Sequence, residues 1–166
     1  MQIDPDDFLY FINCALDGMV RIVEELGDGR VNLRPDFPGA NSPYAILYHC
    51  VGCTNFWIGG LIAGRQVTRD RDAEFQAQGT VADIRQAVVA LKNQLQKDIT
   101  NVQGDQLLAH PDALLPLQAG TTQQGIRNWR QGKAVIHAYE ELSQHHGQME
   151  ITRDILMHLD SHALEK

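Results

Sequence analysis

From Gln131 to His158 the chain runs without a proline and sets Val135, Ala138, Leu142, His145, Met149, Thr152 and Leu156 at alternating spacings of three and four. That is the period of an α-helix, and it gathers these side chains onto one face. Such a stripe must be covered by other elements, and the rest of the sequence decides which kind. No alternating β pattern of useful length occurs, and no internal repeat is present. Three further helices are legible instead.

The first opens at Asp4-Pro5-Asp6-Asp7, an N-cap, a proline at the first helical position and acids facing the positive end of the dipole. Phe8, Phe11, Ile12, Ala15, Met19, Ile22, Val23 and Leu26 recur at helical spacing until Gly27 and Gly29 stop it. A loop with two prolines follows from Val31 to Ala40. The second helix starts at Asn41-Ser42-Pro43 and runs to Leu61 or Ile62, its last turns weakened by Gly59, Gly60 and Gly64. The polar stretch Arg65 to Gly79 reads as a surface connection with one short helical turn. Thr80 and Asp83 form a capping-box pattern ahead of a third stripe, Ile84, Ala87, Val88, Leu91, Leu95 and Ile99, which ends by Gly104. Residues 105–130 hold Pro111, Pro116, Gly120 and Gly125, so no long helix fits there, while Leu107, Leu108, Leu114, Leu115 and Leu117 predict a loop packed against the core. With 166 residues, 43% hydrophobic and 21% charged, the expectation is an all-α single domain, residues 1–166, folded as a four-helix bundle.

The formal charge of -7 argues against nucleic acid as a partner, because phosphate binding needs a basic face. No uninterrupted apolar run approaches the ~20 residues that span a bilayer, and the acidic start lacks the order of a signal peptide. A cytoplasmic protein without a membrane role is expected. Three cysteines, Cys14, Cys50 and Cys53, are too few for a disulfide scaffold and read as reduced thiols. Cys50 and Cys53 make a C-x-x-C with no second pair to complete a zinc site, so both are read as small buried helix residues, with the alternative that Cys53, four residues after His49, approaches the site.

The last helix carries ionisable groups on its inward stripe. Glu141 and His145, four residues apart, project from one face a turn apart, and His137 extends the line. Buried carboxylates and imidazoles cost several kcal/mol unless paired or bound to metal. A third donor must come from a facing helix, and His49 is the one histidine in the first three, set among Ile46, Leu47, Cys50, Cys53 and Trp57. Two histidines and a carboxylate with an open fourth position suit a catalytic zinc site, though spacing alone also allows Ni, Mn or Fe. The spacing equally allows a solvated surface pair, and it leaves open whether Glu141 or His137 takes the middle place. His146 points about 100° away from His145 and belongs to another face. Arg153, with Glu150 and Asp154, reads as surface pairing, and His110, His158 and His162 as solvent-facing. Trp57 and Trp129 are candidates for a pocket wall or for core.

The run from His137 through Glu141, His145, Gly147, Glu150 and Arg153 to Asp154 resembles the last-helix signature of the DinB-like metalloprotein superfamily. More narrowly it is similar to the branch related to the metal-binding domain of mycothiol-dependent maleylpyruvate isomerase. Leu47-Tyr48-His49, Phe56-Trp57, Gly64 and Arg71-Asp72-Ala73-Glu74-Phe75 resemble the second helix and exit loop of the same branch, so that the likeness covers roughly residues 5–160. The resemblance implies a bundle whose metal is held by His49, Glu141 and His145, and a homodimer. Thr54 stands where the branch often has glutamate, and the isomerase's second, catalytic domain is not expected in a chain of 166 residues, nor is isomerase activity. The expectation that transfers is thiol S-transfer, with a low-molecular-weight thiol of the mycothiol or bacillithiol type and a small electrophile. The alternatives are metal-assisted hydrolysis, with His137 as the available base, and a non-enzymatic metal-binding stress-response module, which a closed four-ligand site would favour.

Overall fold

The computed structural model describes residues 4–109 and 128–163. Helix α1 spans Pro5–Arg30, and Asp4 caps it by accepting a hydrogen bond from the Asp6 amide at 2.8 Å. Gly27 takes the left-handed region, φ 64°, so the long helix breaks where the glycine signal lies and one further turn runs on to Arg30. Helix α2, Pro43–Thr54, begins at Ser42, whose hydroxyl accepts from the Ala45 amide at 3.3 Å. It continues without a break into a π-helical segment, Asn55–Ile62. Helix α3 is one turn, Arg71–Glu74. Helix α4, Val81–Asp98, opens with the reciprocal Thr80–Asp83 capping box and closes in a 3-10 turn, Ile99–Asn101. Helix α5 spans Gln131–Ala163. Among the described residues there is no strand, only one isolated bridge between Leu107 and Arg130.

The four long helices form the expected all-α bundle. Helices α1 and α2 each pack on both α4 and α5, so the two pairs enclose a single core. The α5 stripe lies in it as its period requires: Val135, Ala138, Leu142, Met149, Thr152 and Leu156 are buried and His145 half-buried. On α1 the stripe is narrower than the sequence suggests. Phe11 is 53% exposed and meets Tyr139 of α5 edge-on at 6.0 Å, on the outside of the bundle. Leu108 is buried while Leu107 faces solvent; Leu114, Leu115 and Leu117 lie outside the described residues.

Helix α2 with its π extension is apolar nearly all round and sits deepest. By length and composition Pro43–Ile62 would suffice to cross a membrane, which a search for uninterrupted apolar runs does not anticipate, yet 78% of that window is buried inside the bundle. The π segment is tied to α4 by Arg65, which forks onto buried Asp98 at 3.0 and 2.8 Å and also donates to Asn55. The guanidinium lies where a Cβ at Gly59 would be, so the glycine that weakens the helix in sequence is what lets Arg65 close over it.

Candidate metal centre

Ser42 and Pro43 fix the start of α2 and with it the phase that turns His49 and Cys53, one turn apart, toward α5. His49 is 1% exposed. Its Nδ1 lies 2.8 Å from Glu74 Oε2 at the end of α3, and Glu74 is gripped by Arg69 through Nε–Oε1 at 2.9 Å and Nη2–Oε2 at 3.1 Å. Phe75, the next residue, stacks on the His49 ring with centroids 4.3 Å apart. One turn of helix, started by Asp70 accepting from the Ala73 amide, therefore supplies both the carboxylate behind the imidazole and the ring that covers it. Burial works against a charged Glu74, but hydrogen bonds from His49 and Arg69 outweigh it and hold the carboxyl below its usual range. An ionised carboxylate only accepts, which assigns the imidazole proton to Nδ1 and leaves the lone pair on Nε2.

That Nε2 is buried without a hydrogen-bond partner among the described residues. It faces Glu141 Oε2 of α5 at 3.6 Å. The same carboxylate oxygen lies 3.8 Å from His145 Nε2 and 4.0 Å from Cys53 Sγ, so three donors on two helices look at one oxygen. The His49 ring facing it at 3.6 Å does most to hold Glu141 below the usual carboxylate range, outweighing burial, with help from His137 and His145. His145 is lowered by burial, and its Nδ1 donates to Gln148 Oε1 at 2.8 Å, leaving Nε2 turned to the site as a neutral acceptor. Burial pushes the Cys53 thiol up to about 12.

An orphaned buried imidazole nitrogen costs about 1–3 kcal/mol, and a cation is what would relieve it here. A His49 ring nitrogen, Cys53 Sγ and a Glu141 oxygen all lie within 4.8 Å of one another, a donor set suited to a divalent metal. Of the three ligands expected from sequence, His49 and Glu141 belong to this set. His145 approaches Glu141 without joining it, and Cys53, read from sequence as a neutral core thiol, occupies the third place.

The other candidates separate. His137 Nε2 stays 3.9 Å from Glu141 Oε1, its ring edge-on to Trp57 at 4.7 Å and Trp129 at 5.5 Å, while the two indoles stack on each other at 5.3 Å. His146 packs over Gly18 of α1, away from the site, where an added Cβ would strike its ring. Arg153 pairs with its neighbour Asp154 on the same helix, as expected, and also with Glu25 of α1. Cys14 is exposed and Cys50 buried, both free. His110 lies outside the described residues, as does the side chain of His162.

Arg69, Glu74 and Gln148 are the functional residues that sequence reasoning passes over. The stretch around RDRDAEF is polar enough to look like solvated surface, yet Glu74 is 5% exposed. One signal was available in Gly52, a glycine inside α2 at which a Cβ would collide with Glu74 Oε1.

The sequence model of the DinB superfamily matches residues 15–149, a span that includes every member of the cluster. No curated protein and no solved structure matches the chain.

Proposed function

The chain belongs to the DinB superfamily, whose members bind metal, and from that premise we propose that it is a metal-dependent thiol S-transferase with zinc at His49, Glu141 and His145. The single observation that carries the metal is the buried, unpartnered Nε2 of His49, held lone pair outward by the Glu74–Arg69 pair. Bound there, the ion would lower the pKa of a small thiol and hold it as thiolate for an electrophile.

The chain's own residues set the conditions for that chemistry. Glu74 keeps the His49 proton on Nδ1 and Gln148 keeps that of His145 on the same atom, so both imidazoles offer Nε2. Phe75 and the buried face of α2 exclude water from behind, whereas Glu141, 28% exposed, marks the side from which a substrate arrives. The similarity of the last helix to the mycothiol-dependent branch is what points to a low-molecular-weight thiol of the mycothiol or bacillithiol type.

Hydrolysis is the weaker reading. It needs a base beside the ion, and His137 is wedged against two indoles with its nearer nitrogen 3.9 Å from Glu141.

The test is to incubate zinc-loaded protein with monochlorobimane and, separately, mycothiol, bacillithiol, glutathione and cysteine. Fluorescent conjugate that depends on both metal and one of the thiols supports the proposal. No enzyme-dependent conjugation with any of the four overturns it.

A further inference from the structure

The three donor groups that all lie within 4.8 Å of one another include a sulfur, and its place in the fold matches that of a ligand. Cys53 follows His49 by four residues on α2, as His145 follows Glu141 by four on α5. Each helix thus presents two donor-bearing side chains a turn apart on the face it turns to the other. We infer that Cys53 Sγ is a protein ligand of this centre, facing Glu141 Oε2 at 4.0 Å and lying within 4.8 Å of a His49 ring nitrogen. The inference rests on the reading that the cluster holds a metal ion.

Geometry and chemistry both favour it. Bonds of ~2.0 Å to nitrogen or oxygen and ~2.3 Å to sulfur in a tetrahedron put two nitrogen or oxygen donors about 3.3 Å apart and a sulfur about 3.5 Å from either. The 3.6 Å between His49 and Glu141 is a few tenths of an ångström longer than that, and the 4.0 Å from Cys53 to Glu141 about half an ångström longer, a contraction that the partly exposed Glu141 side chain can supply. Cys50, equally buried on the same helix, is not part of the donor set, so the position is specific to one of the two thiols. Charge also balances. A divalent ion with one carboxylate, one thiolate and neutral imidazoles is uncharged, next to an Arg69–Glu74 pair that is itself neutral. Without the thiolate, the protein ligands would leave one positive charge uncompensated beside the core. A sulfur donor shifts metal preference toward zinc and away from manganese or magnesium; with His145 also bound the protein ligands would number four, so an external thiol reaches the ion only by displacing one of them, and a site that no thiol opens would favour the non-enzymatic alternative.

Cobalt(II) reads the ligands directly in the full-length protein. Metal-free protein titrated with cobalt is expected to give visible d–d bands together with a near-ultraviolet sulfur-to-cobalt charge-transfer band. In Cys53→Ser the charge-transfer band is lost and the d–d bands remain; in Cys50→Ser and Cys14→Ser both persist. Should Cys53→Ser fail to fold, a band retained in the other two variants still assigns the sulfur to Cys53, since the chain has three cysteines. Visible bands without any charge-transfer band in the unmutated protein, or a charge-transfer band that survives Cys53→Ser, would overturn the assignment while leaving the metal site standing. No cobalt bands at all, with no zinc bound, would overturn the metal reading and the ligand assignment together.

Discussion

On the α2 side of the centre, His49 is almost wholly buried, hydrogen-bonded to a carboxylate that Arg69 grips through two nitrogens, and covered by Phe75. On the α5 side, Glu141 keeps a face to solvent, and His137 and His145 approach it only at 3.9 and 3.8 Å, with Gln148 the hydrogen-bonded support of His145 among the described residues. The same kind of side chain is fixed on one helix and adjustable on the other. A centre built this way keeps one donor preset and leaves the solvent-facing half free to tighten around an ion.

The most severe way to break the contrast is to remove the guanidinium behind the fixed half. Arg69→Ala leaves Glu74 buried with only His49 beside it and is expected to lower stability by about 3–5 kcal/mol, read by denaturant unfolding of metal-free protein. A loss no larger than that of Gln148→Ala, about 1 kcal/mol for one hydrogen bond, would mean that the two halves are braced alike.

Metal affinity gives the next comparison. Glu74→Gln is expected to weaken zinc binding by ~10–100-fold in competition with a chromophoric chelator, with Gln148→Ala at or below the lower end of that range. The reverse order would place the rigid half on α5.

Gly52→Ala probes the same support from the packing side. Its Cβ would strike Glu74 Oε1, and this carboxylate cannot swing aside because Arg69 and His49 hold it; a cost of about 1–3 kcal/mol in a thermal melt is expected. A neutral result would show that Glu74 moves freely.

The smallest effect is in pH. Glu74 has its carboxyl held below the ordinary 4.5, so the folded chain binds that proton less readily than the unfolded one. Its contribution is fully present above about pH 4.5 and is lost as the pH falls through the lower folded value. Glu141 contributes with the same sign. In metal-free protein, stability should therefore fall with acid below that point, and Glu74→Gln should flatten part of the slope; an unchanged slope would remove Glu74 from the account.

What the sequence reveals follows the same division. Helices with caps and an apolar period declare themselves: Asp4-Pro5, Ser42-Pro43 and the Thr80–Asp83 box mark the starts of α1, α2 and α4. His49, Glu141 and His145 stand out because they are polar groups on apolar stripes. The π segment leaves no such mark, since Asn55–Ile62 keeps helical composition and the change lies in which carbonyl each amide meets. Arg69 and Glu74 are hidden for another reason: a charged pair in a polar connection looks solvated until the fold carries it under α2. Cys53 is ambiguous in sequence because a buried thiol and a ligand thiol occupy the same kind of position, and only the placement of Glu141 across from it makes the difference visible.

The central claim is that α2 and α5 hold one metal ion between His49 and Glu141. Elemental analysis of purified protein after zinc loading and desalting tests it directly, with unmutated chain, His49→Ala and Glu141→Ala measured side by side. The account predicts one equivalent of zinc in the unmutated protein and well under one in each variant. A full equivalent retained in both variants would contradict it.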